Sequence, residues 1–307
     1  MRHPIVAIII LNWNGLRDTL ECLESLAMIT YPNYELIFVD NGSTDGSVPC
    51  LRSRYPNLTI IENEQNMWFA EGNNTGIRYA LAKGAEYVLL LNNDTIVPPG
   101  FLNALVAVAE SDARVGIVGP LIVYYDNPHT IWSAGGETNL FSGIVGNRLQ
   151  NRPLANCEGV IHVDWVSGCA ILIKADVIEK IGLLDKDYFL YLEDADWGFR
   201  AREHGYLSLI DCNTSILHKV GSSLTRISDS YYYYFVRNTL LFFMKHGRWY
   251  HFVTFIGSFC ARYGMMLVWN AIRGDRARCV YIVAGILDHL RGKYGIYKQQ
   301  HGRAYSC

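Results

Sequence analysis

The chain has 307 residues, half of them hydrophobic and 18% charged. That suits one large domain or a domain with an appendage, and it excludes wholesale disorder. A net charge of −2 and a pI near 6.5 exclude a dedicated nucleic-acid binder. The charge is uneven. Residues 245–303 hold ten Lys/Arg against two Asp/Glu, a balance of +8, and the rest of the chain balances at −10. A basic tail on an acidic body points to an anionic surface as partner, a membrane before a nucleic acid.

The first half alternates short apolar runs with helical patterns. Ile5–Leu11, Glu35–Asp40, Leu58–Glu62, Tyr87–Asn92 and Val115–Gly119 read as buried strands, rich in β-branched residues. Leu16–Met28, Ser47–Tyr55, Asn73–Lys83 and Gly100–Ser111 read as the helices between them. Gly84 is a natural C-cap, and Pro98-Pro99 opens the fourth helix. The alternation predicts a mostly parallel α/β sheet covered on both faces, with ligands beyond the C-terminal strand ends. Residues 121–163, with several Gly and Asn, read as an irregular loop region. A strand returns at Ser167–Lys174, followed by a helix at Ala175–Ile181, a helix running to His204 and a strand at Leu207–Ile210.

From Asp229 the pattern is helical. Phe252–Ile272 is strongly apolar, but Arg262 at its centre argues against a clean membrane span. Thr254, Ser258 and Arg262 make one narrow polar stripe, and Val280–Leu290 is a second amphipathic stretch. With Arg273, Arg276 and Arg278 alongside, these helices fit an interfacial position on a bilayer. The alternative is packing on the sheet domain or on another subunit as a homo-oligomer. The apolar run at Ile5–Leu11 is too short for a signal sequence with its cleavage site. None of the eight cysteines forms a CxxC pair, and Cys22, Cys169 and Cys260 sit among apolar residues. They read as free thiols in a reduced, cytosolic compartment.

Several strand ends carry chemistry. Asp40-Asn41-Gly42-Ser43 closes the second strand, where a carboxylate can accept the imide N–H of a pyrimidine; a capped strand-to-helix turn explains the same residues. Asn92-Asn93-Asp94 offers a carboxylate to a hard divalent cation, or forms an Asn/Asp turn. Glu193-Asp194 and Asp196 lie among aromatics, where raised pKa values suit a general base and a helix N-terminus also favours acids. His218 could complete a metal site with Asp94, and Gly221-Ser222-Ser223 could offer N–H groups to a phosphate.

From about Ile5 to Lys245 the chain resembles the family 2 glycosyltransferases, which have the GT-A fold. The matching pieces are Ile10–Asn14 (ILNWN), Val39–Ser47 (VDNGSTDGS), Asn66–Asn74 (NMWFAEGNN), Leu91–Asp94 (LNND), Tyr188–Trp197 (YFLYLEDADW) with Arg200, and His218 with Gly221-Ser222-Ser223. Six pieces in order are specific where each alone is weak. Tyr232–Phe243, with Arg237-Asn238, resembles the helix after the catalytic domain in the rhamnosyltransferase-like branch.

The resemblance implies a GT-A domain over 1–228 and a helical, basic, membrane-associating region over 229–307. It implies an inverting transfer from a nucleotide diphosphate sugar, dTDP-rhamnose first and a UDP-linked sugar otherwise, to a saccharide or lipid-linked saccharide in surface polysaccharide synthesis. The enzyme would sit peripherally on the inner face of the cell membrane. Asp40 would bind the base with Asn12 and Ser43 nearby, and Asn66, Asn73 and Asn93 would line the nucleotide-sugar site. Asp94 would hold Mg²⁺ or Mn²⁺, with His218 as second ligand. Asp194 would deprotonate the acceptor, with Glu193, Trp197 and Arg200 on the acceptor side. Two departures stand out: the metal motif reads Asn-Asn-Asp rather than Asp-x-Asp, and Trp68 and Glu71 replace two glycines. Two other function classes share the sheet. A sugar nucleotidyltransferase needs a Gly-rich loop with a basic residue, for which only Gly15 and Arg17 are present. A non-catalytic nucleotide-sugar binder has no use for Glu193-Asp194.

Overall fold

A computed structural model describes residues 3–220 and 230–297. In chain order the elements are β1 (Val6–Asn12), α1 (Leu16–Leu26), β2 (Tyr34–Asp40), α2 (Ser47–Arg54), β3 (Thr59–Glu62), α3 (Trp68–Ala82), β4 (Tyr87–Asn92), β5 (Thr95–Ile96), α4 (Phe101–Ala109) and β6 (Val115–Tyr124). Then come β7 (Ile131–Ser133), β8 (Gly136–Asn139), β9 (Ile144–Asn147), β10 (Val160–Val163), β11 (Ala170–Lys174), α5 (Ala175–Ile181), α6 (Glu193–Glu203) and β12 (Leu207–His218). The chain continues with α7 (Ser230–His246), α8 (Trp249–Ile272) and α9 (Arg276–Leu290).

The main sheet runs β10-β12-β6-β11-β4-β1-β2-β3, with β5 on β12 and β7 on β6. β1 pairs in parallel with β2 and β4, and β2 with β3. β11 enters antiparallel between β4 and β6, so the sheet is mixed. The unbroken apolar runs are explained by two cores. Ala7 and Ile9 of β1 face one with Ile77 of α3 and Trp197 of α6, while Ile8 and Ile10 face the other with Leu23 of α1 and Phe101 of α4.

Some boundaries differ from those expected. Helix α3 begins earlier than Asn73, because Asn66 Oδ1 accepts from the N–H of Trp68 at 2.8 Å. The expected loop over 121–163 contains the end of β6 and the four short strands β7 to β10, the last two with every other residue exposed. β12 continues to His218 past a register shift between Asp211 and Ser215, where Asp211 Oδ1 accepts from Asn213 N at 3.0 Å.

The cysteine reading needs correction. Pairing of β10 with β12 brings Cys157 and Cys212 to a Cα separation of 5.4 Å, and they form a disulfide. Cys22 and Cys169 are buried free thiols, but Cys260 is exposed.

The chain divides into two compact units. One comprises 1–139, 144–185 and 193–226 and holds the sheet. The other gathers 140–143 and 186–192 with residues 227–307, so the expected division at 228/229 is joined by two short upstream pieces. Inside this helical unit, Phe243 stacks on Phe255 with ring centroids 3.5 Å apart. Ser258 Oγ donates to Ser142 O at 3.0 Å and Arg262 Nη1 to Gly143 O at 3.1 Å. Two residues of the polar stripe are thereby engaged within the unit, whereas Thr254 Oγ1 donates back to its own helix at His251 O.

Candidate active site

Asn12 organises the ends of the parallel strands. It ends β1, opposite Asp40 in register, and is fully buried. Its Nδ2 donates to Asp40 Oδ1 at 3.1 Å and to Ser43 Oγ at 3.0 Å. Its Oδ1 accepts from Gly15 N at 3.1 Å, Thr19 Oγ1 at 3.0 Å and Asn93 Nδ2 at 3.0 Å. One amide thus ties the turns after β1, β2 and β4 to α1. A Cβ at Gly15 would lie 2.5 Å from Asn93 Nδ2, so only glycine leaves room for this network. Asp40 Oδ2 accepts from Ser43 N at 2.8 Å, and Asp40 is nearly buried. Asn66 Oδ1 also accepts from Asn41 Nδ2 at 3.2 Å, which places the start of α3 beside the β2 turn.

Asp94 sits in the tight connection between β4 and β5. Antiparallel pairing of β5 with β12 sets Thr95 opposite His218, and His218 Nε2 lies 3.2 Å from Asp94 Oδ1. Both side chains are largely buried, and Asp94 Oδ1 and His218 Nδ1 lack a hydrogen-bond partner. Burial opposes a charge on His218, but Cys169 and Asp94 outweigh it and hold the imidazole up to about 10. Beside it, Lys219 Nζ meets Asp18 at 2.9 Å and Glu21 at 2.6 Å.

Asp194 reaches the same strand ends through β11. Antiparallel pairing of β11 with β4 puts Cys169 O against Asn92 N at 2.9 Å. The preceding Gly168 N donates to Asp194 Oδ2 at 3.0 Å, and Ala195 N donates to Oδ1 at 2.8 Å. Burial pushes the Asp194 carboxyl above its ordinary range, while these N–H donors hold it down. Glu193 is more deeply buried, with Oε2 unpartnered; burial first, and then the charge of Asp194, push it up to about 8.

Asp40, Asp94 and Asp194 therefore lie around one end of the sheet, with Asn12, Ser43, Asn66 and Asn93 in the connecting network. Three expected site residues make contacts within the scaffold. Trp197 is fully buried and its Nε1 donates to Gly182 O at 2.9 Å. Arg200 pairs with buried Asp196 at 2.7 Å and donates to Leu183 O at 2.9 Å. Asn73 donates to Phe69 O within its own helix at 2.9 Å. Trp197 is thus packed in the core, and Arg200 is tied to the α5–α6 connection. Gly221-Ser222-Ser223 lies outside the described residues. Thr19 escaped the sequence reading, and its one signal is a polar residue on the buried face of α1.

Among the described residues, no three His, Cys, Asp or Glu side chains gather at one point to enclose a metal. Asp94 Oδ1 is a buried oxygen donor of the type a hard cation takes, and His218 beside it could add a nitrogen only as the neutral imidazole. A buried carboxylate, an amide network and a partly exposed carboxylate with raised affinity for protons can bind a base, face a diphosphate and accept a proton.

The family model for glycosyl transferase family 2 matches residues 7–182, more than half of the chain. The chain belongs to this family. The glycosyltransferase is 27% identical over 291 residues to an N-acetylglucosaminyl-diphospho-decaprenol L-rhamnosyltransferase of Mycobacterium tuberculosis, covering 86% of this chain and 92% of the relative. It is 25% identical to the dTDP-rhamnosyl transferase RfbF of Shigella flexneri, over 59% of this chain and 62% of the relative. Among solved structures it is similar to the mannosyltransferase PcManGT of Pyrobaculum calidifontis in complex with GDP-Man and Mn²⁺. That match has a TM-score of 0.58 at 16% identity and covers 95% and 89% of the two chains. It also matches GalNAc-T7 with UDP, GalNAc and Mn²⁺, with a TM-score of 0.57 at 14% identity over 71% of this chain. The glycosyltransferase spans only 44% of the length of that protein. These likenesses show the GT-A fold. The glycosyltransferase uses a nucleotide-sugar donor and has rhamnosyltransferases among its relatives.

Proposed function

We propose that the chain is an inverting, divalent-cation-dependent rhamnosyltransferase that takes dTDP-rhamnose as donor and a lipid-linked saccharide as acceptor in surface polysaccharide synthesis. Relatives named for L-rhamnosyl transfer to a diphospho-decaprenol carrier and for dTDP-rhamnose support the substrate classes. The observation that carries the mechanism is the β11–β4 pairing, which brings Asp194, through Gly168, to the strand ends that bear Asp40 and Asp94.

In this reading Asp40 accepts the imide N–H of the base, and Asn12 and Ser43 fix its carboxylate. Asn66 and Asn93 hold the turns that line the donor. Asp94 and His218 would hold Mg²⁺ or Mn²⁺, which supplies positive charge against the departing diphosphate. Asp194 takes the proton of the acceptor hydroxyl. The acceptor oxygen then bonds to the anomeric carbon from the face opposite the leaving group. The bond from that carbon to the diphosphate oxygen breaks, its electron pair leaves with dTDP, and the configuration inverts.

A position on the inner face of the membrane is supported by α8. Trp249, Val253, Ile256, Val268 and Ile272 are each more than half exposed. Arg248 and Arg273 bracket the helix, and Arg276 and Arg291 flank the apolar exposed positions Val280, Val283, Leu287 and Leu290 of α9. An apolar face rimmed by arginines suits an anionic bilayer better than a second copy, whose arginines would oppose it.

Asp194→Asn tests the mechanism. Transfer should fall about 10²–10⁴-fold, the range a positioned base supplies, while dTDP affinity stays unchanged. NMR of the wild-type product should show the anomeric configuration opposite to the donor's. Most of the transfer rate surviving, or retained configuration, would refute it.

A further inference from the structure

Residues 187–192 hold a backbone conformation that their own side chains disfavour. Phe189, Tyr191 and Leu192 have φ of 67°, 73° and 72°. This is the left-handed region, costly for bulky side chains, and no glycine stands in the segment. Such a conformation persists only where its surroundings over-determine it.

The surroundings are two consecutive, fully buried residues of α7. Asn238 Nδ2 lies 2.8 Å from each of the carbonyls of Tyr188, Leu190 and Tyr191, and its two N–H groups are shared among the three. Arg237 Nη2 donates to Tyr188 O at 2.9 Å and Asp187 O at 3.2 Å, and Nη1 donates to Gly295 O at 2.7 Å. Arg237 Nε donates to Asn238 Oδ1 at 3.0 Å, which fixes the amide so that its N–H groups face the carbonyls. Tyr233 and Tyr234 flank the guanidinium at 5.4 and 5.2 Å. All of these groups lie in the helical unit. The last residue of the held segment, Leu192, is followed by Glu193 and Asp194 at the start of α6.

We propose that Arg237 and Asn238 are positioning residues for the transfer reaction: by holding the carbonyls of 187–191 while Phe189, Tyr191 and Leu192 are left-handed, they set how the chain enters α6 and so the aim of Asp194. The inference rests on the reading of Asp194 as the base. A base is sensitive to such placement, since a displacement of about 1 Å can cost on the order of a hundredfold in rate. A group that only stabilised the fold would change the melting temperature and leave the turnover of folded enzyme alone.

The test uses the full chain, with dTDP-rhamnose and a lipid-linked saccharide. Asn238→Ser is too short to reach the three carbonyls. It should lower kcat about a hundredfold and leave KM for the donor within about twofold. Tyr191→Gly added to it should restore kcat about tenfold or more, because glycine takes positive φ unaided. In an Asp194→Asn background, Asn238→Ser should add less than about a twofold loss, since both changes act on one step. Folded Asn238→Ser with kcat near wild type, or losses that multiply in the double variant, would overturn the inference. Asp194→Asn that retains transfer would instead overturn the base assignment. If Asn238→Ser does not fold, hydrogen exchange on the wild type decides. The amides of Phe189 and Leu190 must be as protected as those of α7, and exchange at open-loop rates would overturn the proposal.

Discussion

Asn12 shows what one side chain can organise. A single buried amide donates to Asp40 and Ser43 and accepts from Gly15, Thr19 and Asn93, so the order of these strand ends depends on one residue. The sequence made Asn12, Asp40 and Asp94 conspicuous because each ends or follows an apolar run. The scaffold contacts of Trp197 and Arg200 were not legible beside the acidic motif. Adjacent residues on a helix point in different directions, and a motif read as a string does not show which face each occupies. Glu193 carries a separate consequence. Its carboxyl is raised from 4.5 to about 8 in the fold, so the native state binds a proton there that the unfolded chain has released. Stability from this group is greatest below about pH 4.5 and is lost as pH rises through about 8. Glu193→Gln should therefore gain stability over wild type, as judged by urea midpoints, and gain more at pH 8 than at pH 5. A difference that is the same at both pH values would show that Glu193 is ionised in the fold.

At the scale of elements, the β/α alternation was legible because buried parallel strands are continuous apolar runs of four to seven residues. The strands β7 to β10 were not, since short strands with alternate exposed positions and interspersed glycines resemble loops. β12 was cut short because Asp211, Asn213 and Thr214 form a polar knot within it. Helix α3 lies close to β1 and β2, and its glycines report this. A Cβ at Gly76 would approach Ile9 Cγ2 to 2.7 Å and Val39 Cγ2 to 3.0 Å. Gly76→Ala should cost about 1–3 kcal/mol through overpacking, despite alanine's better helix propensity. Gly264 on α8 meets nothing within 4 Å, so Gly264→Ala should stabilise by about 0.5–1 kcal/mol. Thermal denaturation of the two variants checks the contrast, and equal effects would contradict this packing of α3.

For the molecule as a whole, composition already separated an acidic body from a basic helical end, and the structure sorts the α8 side chains by face. Arg262, the residue that argued against a clean membrane span, and Ser258 of the same polar stripe are engaged with residues 142 and 143, leaving the exposed face apolar. The protein should sediment with phosphatidylglycerol vesicles and less with phosphatidylcholine, with binding weakened by salt. Val253→Glu with Val268→Glu should reduce partitioning about a hundredfold, since each valine contributes roughly 1.5 kcal/mol when buried. Unchanged partitioning would assign that face to another partner. Sequence could not show the disulfide between Cys157 and Cys212, because their proximity depends on pairing across 55 residues.

The account depends most on Asp40 and Asp94 gripping one nucleotide while Asp194 acts only on the acceptor. Titration calorimetry of dTDP in Mn²⁺ against wild type, Asp40→Ala, Asp94→Ala and Asp194→Asn puts that division of labour to a direct test. Affinity should drop about tenfold or more for the first two variants, the scale of one lost charged interaction, and match wild type for the third. Wild-type affinity in the Asp40 and Asp94 variants would contradict it.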